Sequence, residues 1–115
     1  MIHLPRHMEQ NTWLEFVGDA PINRLLDLFL TGRDFDYTLT DLAKKAGISW
    51  STLHRIFPRL VKSNIVILTR EVGRAKLYKL NKNHRVVKRL VELHDAVLEQ
   101  SLTEAEEKQM IVVHH

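Results

Sequence analysis

The sequence predicts a mostly helical α+β domain in which three short helices precede a two-stranded β-hairpin and a long helix follows. Three observations favour this order. Apolar residues recur at helical spacing in three stretches between Pro21 and Ser63. Two β-rich runs, residues 65–71 and 75–80, then flank a short turn that contains Gly73. A last apolar stripe at helical spacing begins after the second run.

A chain of 115 residues is expected to form one domain. We place that domain at residues 19–82, after an arm at residues 1–18 and before a helix at 83–110 and a tail at 111–115. No apolar run is long enough to span a membrane. The chain has no cysteine, which excludes disulfides and thiolate metal sites and fits a cytoplasmic protein.

Positive charge is concentrated in the middle of the chain. Residues 41–91 contain thirteen Lys or Arg and two Asp or Glu, a net charge of +11. Residues 1–40 have a net charge of −3, and residues 92–115 have a net charge of −5. This segregation gives a one-sided field, so we expect the partner to be a polyanion.

The first predicted helix spans residues 21–31. Pro21 stands near its first position, where a missing N–H is harmless, and Gly32 can end it. In the loop that follows, Phe35 and Tyr37 are expected to tuck under the domain.

The second helix is expected to take Thr40 as its N-cap and to end at Gly47, which can adopt a left-handed backbone. Ile48 fills the turn and Ser49 caps the third helix. A helix, a glycine turn and a capped second helix are typical of a helix-turn-helix.

The third helix, Trp50 to Ser63, has two chemically different faces. The face that points away from the predicted core carries hydroxyl groups and cations and has no carboxylate. This suits the DNA major groove, where Arg can form two hydrogen bonds to guanine. Trp50 lies at the edge, where it could contact sugar–phosphate or cover the core, and we favour the core. The face predicted to be buried consists of Leu53, Ile56, Phe57, Leu60 and Val61.

Pro58 interrupts the backbone hydrogen bonding of this helix, at a cost of roughly 3 kcal/mol in an exposed helix interior. The helix could bend there or end and restart. The apolar period continues through Leu60 and Val61, which favours a bend.

After Asn64, which can hold a left-handed turn, the hairpin carries more cations than acids. Glu71 stands alone against Arg70, Arg74, Lys76 and Lys79. A cationic hairpin beside a helix-turn-helix is typical of a wing that lays Arg74 along the DNA backbone or into the minor groove. The predicted architecture is therefore a winged helix-turn-helix.

The stretches DLAKKAGIS, STLHRIFPRLVKSNIV and GRAKLYKLN resemble the small winged-helix transcriptional regulators of the archaeal MarR/ArsR-like kind, over about residues 20–95. The resemblance implies a homodimer that binds DNA with the second helix of the helix-turn-helix in the major groove. By position it implies DNA contacts by Ser51, Thr52, Arg55 and Arg74. Metal-sensing relatives use cysteines, and this chain has none.

The last helix is expected to begin at residues 81–83 and to pack on the helix at 21–31 and on its twin in a dimer. A lone helix cannot bury an apolar stripe, so either the core or an interface must accept it. His94 on the stripe is read as a satisfied interface histidine, with a pH-dependent dimer as the alternative. Thr103 to Glu106 resembles a capping box, which predicts a separate terminal helix. The predicted dimer contacts are Val87, Leu90, Val91, His94, Val97 and Leu98.

These features predict a sequence-specific regulator that binds double-stranded DNA as a homodimer. The alternatives are a winged-helix protein-interaction module and a plasmid or viral replication or partition factor. No enzyme motif, cofactor or small-molecule effector is evident, and a metal site at His3 and His7 is disfavoured by Pro5 between them. The predicted DNA contacts are Ser49, Trp50, Ser51, Thr52, His54, Arg55, Arg59, Lys62, Arg70, Arg74 and Lys76.

Overall fold

The computed structural model describes residues 11–113, with side chains through residue 108, so His3 and His7 lie outside the described residues. Within this part of the chain, none of the helices is long and apolar enough to cross a membrane. The described elements are α1 (Thr12–Val17), α2 (Pro21–Thr31), α3 (Leu39–Ala46), α4 (Trp50–Lys62), β1 (Val66–Val72), β2 (Ala75–Leu80) and α5 (Arg85–Val113). The mostly helical class and the order of the elements are as predicted.

The first helix of the described chain, α1, lies within the predicted N-terminal arm. The Asn11 side chain caps it by accepting a hydrogen bond from the Leu14 backbone N–H at 2.9 Å. Trp13 is buried, and the helix packs against α2 and α5. Residues 12–17 are therefore part of the folded body.

Helix α3 begins two residues earlier than predicted, because Thr38 and not Thr40 is its N-cap. Thr38 Oγ1 accepts a hydrogen bond from the Asp41 backbone N–H at 3.1 Å, and the Asp41 carboxylate accepts one from the Thr38 N–H at 3.3 Å. Of these two threonines, only Thr38 has an acidic residue three positions later, so only Thr38 can form this capping box. Gly47 ends the helix with φ 67°, as predicted.

The core lies between the helices and the hairpin. Leu25 and Phe29 from α2, Leu42 from α3 and Leu53 from α4 are completely buried. Tyr37 joins them, with its ring edge-to-face on Phe29 at 5.7 Å between centroids.

Three sequence-based predictions about the core are wrong. Phe35 is 66% exposed, because it alternates with the buried Tyr37 and so faces outward. Val61 is 37% exposed, at the margin of the α4 stripe. Trp50 is 51% exposed, because it stands at the first position of α4, before the helix reaches the core.

Helix α4 continues without a break through Pro58, so the alternative of an early end and restart is wrong. Ser49 caps its N-terminus as predicted. After Lys62, Asn64 adopts the predicted left-handed conformation with φ 62° and leads into the hairpin.

Strands β1 and β2 pair antiparallel around a turn in which Gly73 has φ 62°. The register shifts between Leu68 and Arg70, so Thr69 is an extra residue in a β-bulge that the sequence did not predict. Tyr37 pairs with Tyr78 as an isolated antiparallel bridge, with two backbone hydrogen bonds of 2.8 Å. The hairpin is thereby attached to the loop between α2 and α3.

Helix α5 is one helix through residue 113, so the predicted capping box at Thr103 is wrong. Thr103 Oγ1 donates to the Glu99 carbonyl oxygen at 3.1 Å, a bond that a threonine makes inside a helix.

Candidate nucleic-acid interface

The outer face of α4 presents the side chains that the sequence analysis assigned to it. Ser51, His54, Arg55, Arg59 and Lys62 are exposed, and Thr52 is half-buried. Leu53 and Ile56 on the opposite face hold the helix against the core, because both are buried there. The helix therefore displays hydroxyl, imidazole and cationic groups to the solvent over three turns.

Hydroxyl groups at the start of α4 bond to each other. Ser49 Oγ accepts from the Thr52 backbone N–H at 3.2 Å and donates to Thr52 Oγ1 at 2.8 Å. This keeps the Thr52 hydroxyl at the helix N-terminus, where backbone N–H groups favour anions such as phosphate. Ser49 therefore has a structural role as the cap, whatever else it contacts.

Trp50 and His54 form an exposed aromatic pair on this face. Their ring centroids are 4.5 Å apart and the rings meet edge to face at 71°. The exposure of Trp50 removes the expectation that it covers the core and places it with the predicted DNA contacts.

The cations of α4 have no carboxylate partners within the described part of the chain. Arg55, Arg59 and Lys62 form no ion pair with any residue between 11 and 108. Their charges are thus uncompensated at short range, which favours contact with a polyanion.

The hairpin arginines differ from one another. At the tip, Arg74 is exposed and has no ion pair in the described part of the chain. Lys76, also exposed, stands opposite Glu71 in the register of the two strands.

In the second half of β1, where Arg70 stands opposite Leu77, Arg70 is paired with Asp36. Arg70 Nε donates to the carboxylate at 3.0 Å and Nη2 at 3.3 Å, and Thr69 Oγ1 donates to it at 2.7 Å. The hydrogen bonds from Arg70 and Thr69 hold the pKa of Asp36 below its usual value, although burial opposes the shift. The hydrogen bond to Asp36 raises the pKa of Arg70.

Sequence analysis missed Asp36 and Thr69. The alternation in Asp34-Phe35-Asp36-Tyr37 is typical of a strand and could have indicated that this loop pairs with the hairpin. The second acid of this loop, Asp34, contacts the Lys82 ammonium group. Two acidic side chains of one loop therefore neutralise one cation of the hairpin, Arg70, and one that follows it, Lys82.

Hairpin and α4 also contact each other directly. The Tyr78 ring on β2 lies edge-to-face on Phe57 of α4, with centroids 4.8 Å apart. Because Tyr78 also bonds to the Tyr37 backbone, the hairpin is tied to both sides of the helix-turn-helix.

The predicted dimer residues of α5 lie in two environments. Val87, His94 and Val97 are buried in the core of this chain, so their assignment to a dimer surface is not supported. Apolar periodicity marks a buried face, and here the covering elements belong to the same chain. Leu98 is 39% exposed, whereas Leu90 and Val91 are half-buried.

A cleft of about 700 Å³ lies between α1, α2 and α3, with Leu14, Leu28 and Lys45 among its lining residues. Arg24 also lines it, pairing with Asp19 at 2.6 Å and donating through Nη1 to the Gly47 carbonyl oxygen at 3.0 Å. Small-molecule sites have volumes of about 300–1,000 Å³. The expectation that no small-molecule effector binds therefore has no support from the structure.

Three solved structures are similar to this one, and two of them are of transcription regulators. AntR, an antimony-specific transcriptional repressor, is 20% identical with a TM-score of 0.55, covering 90% of this chain and 89% of AntR. MepR, a transcription regulator of the Staphylococcus aureus multidrug efflux pump MepA, is 19% identical with a TM-score of 0.57, covering 93% and 84%. A mutant of Lactococcus lactis ZitR in its apo form is 15% identical with a TM-score of 0.58, covering 98% and 92%.

This chain has the fold of winged-helix transcription regulators. No protein-family model and no curated protein matches its sequence. The comparisons therefore support the winged-helix part of the resemblance drawn from the sequence, and they give no support to its archaeal part.

Proposed function

We propose that this protein is a sequence-specific transcriptional regulator that binds double-stranded DNA as a homodimer. Helix α4 would enter the major groove, and the wing, residues 70–76, would lie beside it with Arg74 at its tip on the backbone or in the minor groove. No catalytic step is part of this proposal.

The observation that carries the proposal is the outer face of α4. It combines hydroxyl groups, which bond to either strand, with arginines that have no ion pair among the described residues and can form two hydrogen bonds to guanine. A winged helix that only binds other proteins has no need of a segment with a net charge of +11.

Dimerisation is proposed through the part of α5 that extends beyond the core. Leu98 and Leu102 are 39% and 64% exposed there, which leaves apolar surface for a second copy. A dimer with two-fold symmetry would read two half-sites about one helical turn, or roughly 10 bp, apart.

The test is selection from a randomised duplex pool, with binding followed by fluorescence anisotropy at several salt concentrations. A two-fold-symmetric enriched sequence with a steep salt dependence is expected. Binding with a steep salt dependence but no enriched sequence would contradict sequence-specific regulation. The absence of binding at low salt would contradict DNA binding and favour a protein-interaction module.

Arg55→Ala tests the role of α4 within this function. We expect it to cost about 1–3 kcal/mol on the enriched duplex and to relax the preference at one base position. Arg89→Ala removes the same charge from the exposed surface of α5, where Arg89 pairs with Glu92 at 3.2 Å, and is the matched control. Equal weakening on enriched and scrambled duplexes would mean that Arg55 touches only phosphate.

A further inference from the structure

We propose that Asp36 is a positioning residue that limits the contact between wing and DNA to the hairpin tip. It does so by forming an ion pair with Arg70 and by fixing the bulge at Thr69 in β1. The inference rests on the proposed function, and it assigns to the loop between α2 and α3 a part in selecting which cations reach DNA.

The first step concerns Arg70. Two of its N–H groups, on Nε and Nη2, donate to the Asp36 carboxylate at 3.0 and 3.3 Å. The edge of the guanidinium that carries these two nitrogens therefore cannot form two hydrogen bonds to a phosphate at the same time. Its charge is also compensated locally, so contact with DNA would release little of the counterion atmosphere through Arg70.

The second step concerns Thr69, the extra residue of the bulge. Its hydroxyl donates to Asp36 at 2.7 Å and lies 3.2 Å from the Leu77 carbonyl oxygen. A bulge bends its strand and increases the local twist, so its geometry sets the direction of the hairpin beyond it. Asp36 holds this bulge from the body of the domain and thereby directs the tip.

The third step concerns the distribution of charge along the hairpin. Arg70 is paired with a carboxylate, whereas Arg74 at the tip and Lys76 beside it form no ion pair within the described chain. Asp36 is 20% exposed, whereas Arg70 is 61% exposed. Without the carboxylate, Arg70 would thus be a second wing arginine, besides Arg74, that has no ion pair within the described chain.

The experiment compares the salt dependence of DNA binding among the wild type, Asp36→Asn, Arg70→Ala and the double variant. Enriched and scrambled duplexes are used for each. Asp36→Asn preserves the side-chain size, removes the charge and releases Arg70. It is expected to steepen the slope of log K against log salt by about 0.9, the value for one added phosphate contact.

The other variants separate Asp36 from general effects of charge. Arg70→Ala is expected to leave the wild-type slope unchanged, and the double variant is expected to return to that slope. Asp95→Asn is the matched control. Asp95 also pairs with an arginine, Arg33, at 2.8 Å, but Asp95 lies on α5 and not beside the wing. It is expected to keep the wild-type slope and the wild-type preference for the enriched duplex.

Asp36→Asn should also raise affinity for the scrambled duplex several-fold more than for the enriched duplex, because a phosphate contact carries no sequence information. A lower slope for Arg70→Ala alone would overturn the inference, since Arg70 would then already contact phosphate. An unchanged slope for Asp36→Asn would overturn it as well.

A measurement without DNA keeps this inference separate from the proposed function. Amide hydrogen exchange in residues 68–72 should be faster in Asp36→Asn than in the wild type and in Asp95→Asn. Unchanged exchange would overturn the positioning of the wing by Asp36. If the wild type bound no duplex, the proposed function would fail together with the inference, whereas the outcomes for Arg70→Ala concern the inference alone.

Discussion

Asp27 and Asp36 are both carboxylates that join distant segments of the chain, but they do so in different environments. Asp27 on α2 accepts from Asn11 Nδ2 at 2.9 Å and lies 3.0 Å from His94 Nε2, at the junction of α1, α2 and α5. Asp36 joins the loop before α3 to the hairpin. His94 is 3% exposed, whereas Arg70, the partner of Asp36, is 61% exposed.

The exposure of the partner decides what each carboxylate can do. Removing Asp27 would leave the buried His94 ring without its polar contact, and water cannot replace that contact easily. Removing Asp36 would return Arg70 to water at little cost, because exposed ion pairs contribute little to stability. We therefore expect the Asp27 network to affect folding and the Asp36 network to affect the charge of the wing.

His94→Ala should have the largest effect on stability. It breaks the contact with Asp27 and removes a ring that lies 5.2 Å from the Trp13 ring, centroid to centroid. Truncation of a buried aromatic ring to alanine costs about 3–5 kcal/mol. Urea denaturation compares the unfolding free energy of this variant with that of Asp95→Asn, in which the neighbouring residue loses a partly exposed ion pair. Equal destabilisation of the two would contradict the contrast between buried and exposed networks.

Asp27→Asn should be destabilising by about 1–3 kcal/mol at neutral pH, because an amide cannot accept from both partners in the same way. Burial would raise the pKa of Asp27, but the hydrogen bonds from His94 and Asn11 outweigh burial and hold this pKa below its ordinary value.

The sign of the pH dependence follows from this lowered pKa. The unfolded state then binds the proton more readily, so the stabilisation is complete above pH ~4 and is lost as the pH falls through the folded pKa. The difference in unfolding free energy between the wild type and Asp27→Asn should therefore narrow below pH ~4. Urea titrations at pH 7, 5, 4 and 3 would show it, and a constant difference would contradict the assignment.

The contrast between the two networks also shows what the sequence could predict. Helix ends were predictable where a short-range rule decides them, as at Gly47 and Ser49. The choice between Thr38 and Thr40 required the acidic residue at the third helical position. Both carboxylate networks escaped prediction, because their partners are 16–67 residues apart in the chain and only the fold brings them together.

Predictions for the candidate interface divide in the same way. The helical period of α4 placed Arg55 and Arg59 on the exposed face, because 100° per residue fixes direction once the core face is known. It could not show that Arg70 would meet Asp36, since that depends on a bulge and on a bridge between Tyr37 and Tyr78. Periodicity also marked His94 as buried without showing that its own chain would cover it.

Arg74→Ala extends the comparison from the two carboxylates to a cation that has none. Because Arg74 is unpaired in the described chain, we expect the salt slope of binding to flatten by about 0.9 and affinity to fall on enriched and scrambled duplexes alike. Anisotropy titrations at four salt concentrations measure both quantities. If neither changed, the wing tip would not contact DNA.

Arg70→Ala should have the smallest effect on stability, and it sets the lower limit of the comparison. The pair with Asp36 is exposed on the arginine side, and Asp36 keeps its hydrogen bond from Thr69 when Arg70 is absent. We expect a urea midpoint close to that of the wild type, whereas His94→Ala should shift it clearly. A loss of stability comparable with that of His94→Ala would mean that the hairpin depends on this ion pair for folding. Asp36 would then stabilise the domain in the same manner as Asp27, and the distinction between a buried network for folding and an exposed one for charge would no longer hold.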